Sequence, residues 1–362
     1  MPEVQDLRSS FKGRNVLVTG HTGFKGGWLS LWLKELGANV HGLSLDPPTD
    51  PSFFHATGLD RALKWTKGDI RDRKVIKKAF ADSDPEVIFH LAAQPIVRES
   101  YHDPLGTFET NVMGTANILE EVRNASDVRG CLCITSDKCY ENLERGAAFK
   151  ESDPVGGSDP YSASKGAAEI VISSYRRSFF EDTETIIASA RAGNVIGGGD
   201  WAKDRLIPDC IRSLQKGETI VLRSPESVRP WQHVLDPLSG YLTLGAMMLD
   251  GEKEAKGAWN FGPPESKGTT VEELVSIVVE EWGEGDWRVE RTNDRKQESK
   301  CLRLDSAKSK TELGWSCKWD VQTSVRRSVE WYRRHAIGTD MWDFSFGQIA
   351  AYEGQDRERS AD

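Results

Sequence analysis

Three observations predict an α/β fold, a Rossmann doubly wound parallel sheet followed by a smaller mixed α/β C-terminal domain. Strand and helix signals alternate through the first half of the chain, and a glycine-rich turn links the first strand to the first helix. After about Asn194 the alternation breaks down, because Pro208, Pro225, Pro230, Pro237 and Pro263-Pro264 cut the segments short. With 362 residues the chain is long enough for two domains of roughly 150 residues each. The boundaries expected are 1–193 and 194–362, with part of 230–262 returning to the first domain.

The elements follow in order. Asn15–Thr19 is a short apolar run, and Lys25–Leu36 carries Trp28, Leu29, Leu31, Trp32 and Leu36 at helical spacing. Asn39–Leu45, Lys64–Lys67, Val87–Leu91, Cys131–Thr135 and Thr185–Ala190 read as further strands. Between them, Arg73–Ala81, a long Thr107–Arg123 and Tyr161–Phe180 read as helices, and Thr270–Trp282 is a helix of the second domain. Such repeated strand–helix–strand units need right-handed crossovers, which give a parallel sheet covered on both faces. The acidic stretch from Gly354 onward is expected to fray.

Composition narrows the function classes. Hydrophobic residues make up 38% and charged residues 28%, as in soluble globular proteins. The longest nearly apolar stretch, Gly240–Leu249, is too short for a bilayer, and Met1–Arg14 lacks the apolar core of a leader, so a cytoplasmic protein without membrane contact is expected. A net charge of −9 argues against nucleic acid as a partner. Six cysteines (Cys131, Cys133, Cys139, Cys210, Cys301 and Cys317) are too sparse for a disulfide framework and lack zinc spacing, so they read as reduced thiols and no metal is expected. Cys131 and Cys133 should share one face of their strand.

Three constellations carry chemistry. Gly20-His-Thr-Gly23-Phe-Lys-Gly26 follows a strand and opens a helix, where glycines allow a tight turn and helix amides can hold a pyrophosphate. Its G-x-x-G-x-x-G spacing is one residue off the dinucleotide fingerprint. The acid for the adenosine ribose would be Asp46, at the far edge of the expected window with Ser44 closer, so NAD and NADP both stay open. In Tyr161-Ser-Ala-Ser-Lys165, four-residue spacing puts the phenol and the ammonium on one helix face. A phenol with an ordinary pKa near 10 needs a neighbouring cation before it can serve as a base. Ser136-Asp137-Lys138 leaves the carboxyl end of the fifth strand, the edge where open parallel sheets bind ligands.

Together with Asp69-Ile70, His90-Leu-Ala-Ala-Gln94, Asn111 and Arg191-Ala-Gly-Asn194, these motifs resemble the extended short-chain dehydrogenase/reductase family, nucleotide-sugar branch, over nearly the whole chain. Ser136–Asn142, Pro47–Phe54 and Asn194–Trp201 resemble the CDP-glucose 4,6-dehydratases of that branch. In the related dTDP-glucose enzymes the residue after the catalytic Asp is Glu, where this chain has Lys138.

The resemblance implies tightly held NAD, with Gly20, Thr22, Gly23, Phe24, Lys25, Gly26, Asp46, Asp69, Ile70, Leu91, Ala92, Ala93, Asn111, Tyr161 and Lys165 around it. It implies a lyase that takes hydride from C4 of CDP-glucose with Tyr161 as base, loses water across C5–C6 with Asp137 as acid, and returns hydride to C6. Ser136 would hydrogen-bond the same sugar oxygen as Tyr161, and Lys138 would be either the base at C5 or a cation stabilising the enolate. Gln94, Arg98, Asn194, Arg205, Arg229, His233 and Arg303 are the implied substrate contacts, arginine forks suiting phosphate oxygens. A homodimer or homotetramer, and a place in deoxysugar biosynthesis of the O-antigen or lipopolysaccharide kind, belong to the same implication. A nucleotide-sugar 4-epimerase and a non-catalytic NAD-binding scaffold are the alternatives.

Overall fold

Successive side chains of the central strands point to opposite faces, and the core divides accordingly. The computed structural model describes residues 7–143, 146–264, 268–290 and 302–354. Strands β1 (Asn15–Thr19), β2 (Asn39–Ser44), β3 (Lys64–Lys67), β4 (Val87–His90), β5 (Gly130–Ile134), β6 (Ile186–Ala192) and β7 (Gly257–Phe261) form one sheet in the order β7-β6-β5-β4-β1-β2-β3. Every pair in it is parallel. Val16, Val18, Phe89 and Leu132 join one buried cluster, while Leu17, Ile88, Cys131 and Cys133 join the other. Cys131 and Cys133 do share a face, with sulfurs 3.8 Å apart.

Helix α1 (Phe24–Glu35) and a later helix cover the first face, and α2 (Arg73–Ser83), α3 (Gly114–Asn124) and α4 (Pro160–Phe179) cover the second. Trp28 and Trp32 are buried on α1; the Trp28 ring lies 4.7 Å from Phe53 and its Nε1 donates to the Gly198 carbonyl at 2.9 Å. The sheet order reverses between β1 and β4, which opens a crevice at their carboxyl ends.

The long helix expected over Thr107–Arg123 is broken. Pro104–Phe108 is α-helical, Glu109–Met113 forms a π-turn, and α3 begins at Gly114. The extra residue in the π-turn swings Asn111 inward, where its side chain accepts from Gln94 N (2.8 Å) and donates to Gln94 O (3.1 Å) and Ser164 Oγ (2.8 Å). Three polar groups are satisfied in exchange for the regular ladder. Elsewhere the differences are shifts at element ends, β6 reaching Ala192 for example.

Beyond Asn194, α5 (Leu206–Gln215), α7 (Val271–Trp282) and α8 (Val321–Ala336) stand with two-stranded ribbons apart from the sheet. Two elements of this half go back to the sheet: α6 (Leu235–Asp250), packed on β4 and β5, and β7, paired with β6 from Gly257↔Ala188 to Phe261↔Ala192. A third, α9 (Met341–Glu353), lies outside the expected 230–262 segment and packs on α1, where Trp32 Nε1 donates to Glu353 at 2.9 Å. Among the described residues no helix is long and apolar enough to cross a membrane. Cys301 and the tail beyond Gly354 lie outside the described residues.

Asp236, at the start of α6, joins these returning pieces. Its Oδ1 accepts from Lys318 N at 2.8 Å and from the Tyr352 hydroxyl at 2.9 Å, and burial pushes the carboxyl from the ordinary 3.8 up to about 6. Between those values the folded chain holds the proton more tightly than the unfolded one. Asp236 therefore favours the fold fully below pH about 4, and that contribution is lost as pH rises through 6. Melting temperatures across this range should fall more steeply with pH for the wild type than for Asp236→Asn, which keeps the Oδ1 acceptor; parallel curves would contradict the buried titration.

Candidate active site

The glycine turn after β1 is built so closely that side chains cannot enter it. Gly20 has φ +75°, and a Cβ there would lie 2.7 Å from Ala92 N; a Cβ on Gly26 would lie 2.2 Å from Gly20 O. Gly23 caps α1 without a side-chain hydrogen bond, leaving first-turn amides for an anion. The turn fits a dinucleotide pyrophosphate. Leu91, Ala92 and Ala93 follow β4 across the crevice, and Ala92 N donates to Thr19 Oγ1 at 3.1 Å. On the adenosine side, Thr22 bonds Ser44 at 2.7 Å, so Ser44 occupies the end of β2, while exposed Asp46 pairs with Lys67 at 2.6 Å. Asp69 is held below its usual range by hydrogen bonds from Arg71 that outweigh its partial burial, and Ile70 is buried beside α3.

Four groups meet at the carboxyl end of β5. Ser136, Asp137, Tyr161 and Lys165 are each less than a tenth exposed. Ser136 Oγ donates to Asp137 Oδ1 at 3.0 Å and accepts from Lys138 N at 3.2 Å. Asp137 Oδ2 is buried without a partner, and a Cβ on Gly193 would lie 3.0 Å from it. Burial raises the Asp137 carboxyl above its ordinary value, opposed by Lys138, Ser136, Lys25 and Arg229. It also pushes the Tyr161 phenol up to about 12, with hydrogen bonding from Ser136 the main opposing effect, and lowers Lys165 to about 8. The Tyr161 backbone is fixed by Ser100 Oγ on its N–H (3.1 Å) and Ser164 Oγ on its carbonyl (2.7 Å).

Lys25, foreseen only as a cofactor contact, faces this cluster. Its Nζ lies 3.5 Å from the Tyr241 hydroxyl, and burial together with Arg205 and Lys165 lowers it to about 7 while Asp137 favours its charge. Lys25, Lys138, Lys165, Arg205 and Arg229 thus make a locally positive cleft in an acidic chain.

Behind the cluster runs a buried polar network that sequence reasoning missed. Arg191 Nη2 meets Glu169 Oε2 at 2.7 Å, both side chains 5% exposed. Glu169 also accepts from Ser189 (2.8 Å) and Thr135, and Arg191 Nη1 donates to the Tyr140 hydroxyl (2.7 Å), which donates to Asn260 Oδ1 (2.8 Å). Glu169 lies one helical turn beyond Lys165, and Arg191 and Tyr140 lie inside the quoted motifs, so the signal was present as spacing.

The remaining candidates lie at different depths. Arg205 pairs with Asp200 at 2.9 Å at the cleft, and Arg98 with Asp204 at 3.1 Å nearer the surface. Gln94 is engaged by Thr107 and Ile96 as well as Asn111. Asn194 accepts from Gln232 N through its carbonyl at 3.1 Å. Arg303 Nη2 donates to Gly146 O at 2.7 Å. His233 is fully buried between the Trp28 and Trp319 rings, at 6.3 and 4.7 Å, and burial lowers it to about 3. Its surroundings are those of a neutral core histidine.

Known proteins resemble this chain over most of its length. The model of a family described as GDP-mannose 4,6 dehydratase matches residues 17–328. The CDP-glucose 4,6-dehydratase of Salmonella typhimurium is 46% identical over 95% of this chain and 98% of its own length. The solved dTDP-glucose 4,6-dehydratase DesIV of Streptomyces venezuelae, with NAD and TYD bound, superposes with a TM-score of 0.75 at 25% identity, covering 90% of this chain and 99% of that one. The UDP-glucose 4-epimerase of Thermus thermophilus, in complex with NAD, gives 0.76 at 26% identity over 88% of this chain and 98% of that one.

The ion pair behind the cluster sets a stability expectation. Arg191→Met strands the Glu169 carboxylate in the core and should cost about 3–5 kcal/mol in denaturant unfolding; a cost below about 1 kcal/mol would mean that the pair is solvated.

Proposed function

The chain belongs to the GDP-mannose 4,6 dehydratase family, and we propose that it removes water from CDP-D-glucose, using NAD, to give CDP-4-dehydro-6-deoxy-D-glucose. One observation carries the reading: Asp137 and Lys138 leave β5 in a turn packed against α4, the helix that carries Tyr161 and Lys165, with Asp137 close enough to act on the phenol. A 4-epimerase needs the phenol and the dinucleotide but has no departing hydroxyl for Asp137 to protonate. The 46% identity to a CDP-glucose enzyme supports the CDP-sugar over other nucleotide sugars.

Each residue has its part in the proposed reaction. The glycine turn Gly20–Gly26 would hold NAD, which would supply the hydride acceptor for C4 and the hydride donor for C6. Tyr161 as phenolate takes the C4 hydroxyl proton, with the Lys165 ammonium favouring the ionised phenol. Once C4 is a ketone, the C5 proton is acidic and Lys138 removes it. Asp137, whose burial favours the protonated form, donates to the departing C6 hydroxyl. Arg205 and Arg229 flank the cleft as cations for the substrate pyrophosphate, and the cofactor and substrate assignments made on motif grounds belong to the same proposal, His233 excepted.

Residues 194–234, 268–290 and 302–336 would form the substrate lobe. Leu105, Phe108, Met113, Ile170 and Phe179 are exposed apolar side chains on neighbouring helices around Tyr161–Phe180, which supports pairing of two copies there. Free cysteines among the described residues suit a reducing compartment, the cytoplasm, and the product suits deoxysugar synthesis.

Incubation with CDP-, dTDP-, UDP- and GDP-hexoses followed by mass spectrometry should show loss of one water from CDP-glucose; an isomer of unchanged mass would favour epimerisation instead. Lys138→Met should bind the nucleotide sugar normally yet lose solvent deuterium exchange at C5, and normal exchange would remove Lys138 from the proton path.

A further inference from the structure

Proton accounting leaves one transfer unassigned. At C4 an O–H bond breaks and its proton goes to Tyr161, while the C–H electron pair is lent out and later returns to C6. At C5 a proton is removed and one is put back. At C6 the C–O bond breaks, and the departing oxygen leaves as water with a proton from Asp137. When the sugar departs, Tyr161 has gained a proton and Asp137 has lost one. Each new cycle therefore needs one proton moved from the phenol to the carboxylate.

The structure supplies a bridge for that movement. Ser136 Oγ donates to Asp137 Oδ1 at 3.0 Å, and Lys138 N, donating to Ser136 Oγ at 3.2 Å, fixes the hydroxyl in place. Ser136 caps the turn Asp137–Cys139, which packs against α4, the helix that carries Tyr161, and hydrogen bonding from Ser136 opposes the rise of the Tyr161 phenol. Asp137 is 3% exposed and Tyr161 and Ser136 are 7% exposed, so bulk water has little access to any of the three. Asp137 Oδ2 is buried and unpartnered.

We infer that Ser136 is the proton bridge that arms the site, relaying the Tyr161 proton to Asp137 so that base and acid become ready together. The Tyr161 O–H breaks as an O–H forms on Ser136, whose own O–H breaks as one forms on Asp137 Oδ1. No electron changes owner, and the pair Tyr161-OH/Asp137 carboxylate becomes phenolate/carboxylic acid. Burial of Asp137 makes the carboxyl a better resting place for the proton than a solvated one would be. This rests on the dehydratase reading above, and extends it by giving Asp137 a part in the C4 oxidation, in which no hydroxyl leaves.

CDP-6-deoxyglucose isolates that part, since it can be oxidised at C4 but has no C6 hydroxyl to lose. Its oxidation is followed by the near-ultraviolet absorbance of the reduced dinucleotide. The relay predicts that Asp137→Asn and Ser136→Ala both slow this oxidation on the order of 10²-fold, with sugar binding retained, and that Ser136→Thr restores most of the rate. The wild-type rate should bend with deuterium fraction in mixed water, as two protons in flight require, and in Ser136→Ala the dependence should be linear. Wild-type oxidation by Asp137→Asn would overturn the relay while leaving the dehydratase reading intact, as long as that variant still fails to release water from CDP-glucose. A wild-type chain that leaves both sugars unchanged would overturn the functional reading, and the relay with it.

Discussion

The Glu169–Arg191 ion pair is the constraint on which the active-site geometry depends. It joins α4, which carries Tyr161 and Lys165, to β6, while Thr135 and Tyr140 attach the strand end and loop that carry Ser136, Asp137 and Lys138. Two charges are taken out of water to do this, and the cost is recovered only because both are almost fully hydrogen-bonded. In return the phenol and the carboxyl, which come from segments distant in sequence, are held at one place.

Burial then sets the chemistry. The same removal from water raises Asp137 and lowers Lys25 and Lys165, which brings these groups toward neutrality, and raises the Tyr161 phenol away from it, so that the phenolate depends on the surrounding cations. An acidic chain concentrates lysines and arginines around one buried carboxyl, which suits both a doubly charged pyrophosphate and a proton that has to move between neighbours. The glycine turn adds close backbone approach, with amides in place of side chains at the phosphate position.

The parallel sheet was legible because its strands are buried on both faces and read as apolar runs closed by turn residues; Asn15–Thr19 and Lys64–Lys67 were read with their exact bounds. The π-turn at Glu109–Met113 was not, because its cause is a long-range hydrogen-bonding demand at Gln94 and Ser164 that no local pattern announces. The return of α9 was hidden for a similar reason, its partners on α1 lying some 300 residues away, as with Trp342 and Glu35 (|i−j| 307). At the site, the spacing of Tyr161 with Lys165 and the adjacency of Ser136, Asp137 and Lys138 were readable as chemistry. The inward face of Lys25 and the core burial of His233 depend on which cavity each side chain enters, and a one-dimensional motif does not contain that.

Moving hydrogen within a single sugar tests the account most directly. CDP-glucose carrying deuterium at C4 should yield a product whose deuterium is on the C6 methyl group, since the pair of electrons leaves one carbon and returns to the other within one closed site. Deuterium washed into solvent, or still at C4 in the product, would contradict the account.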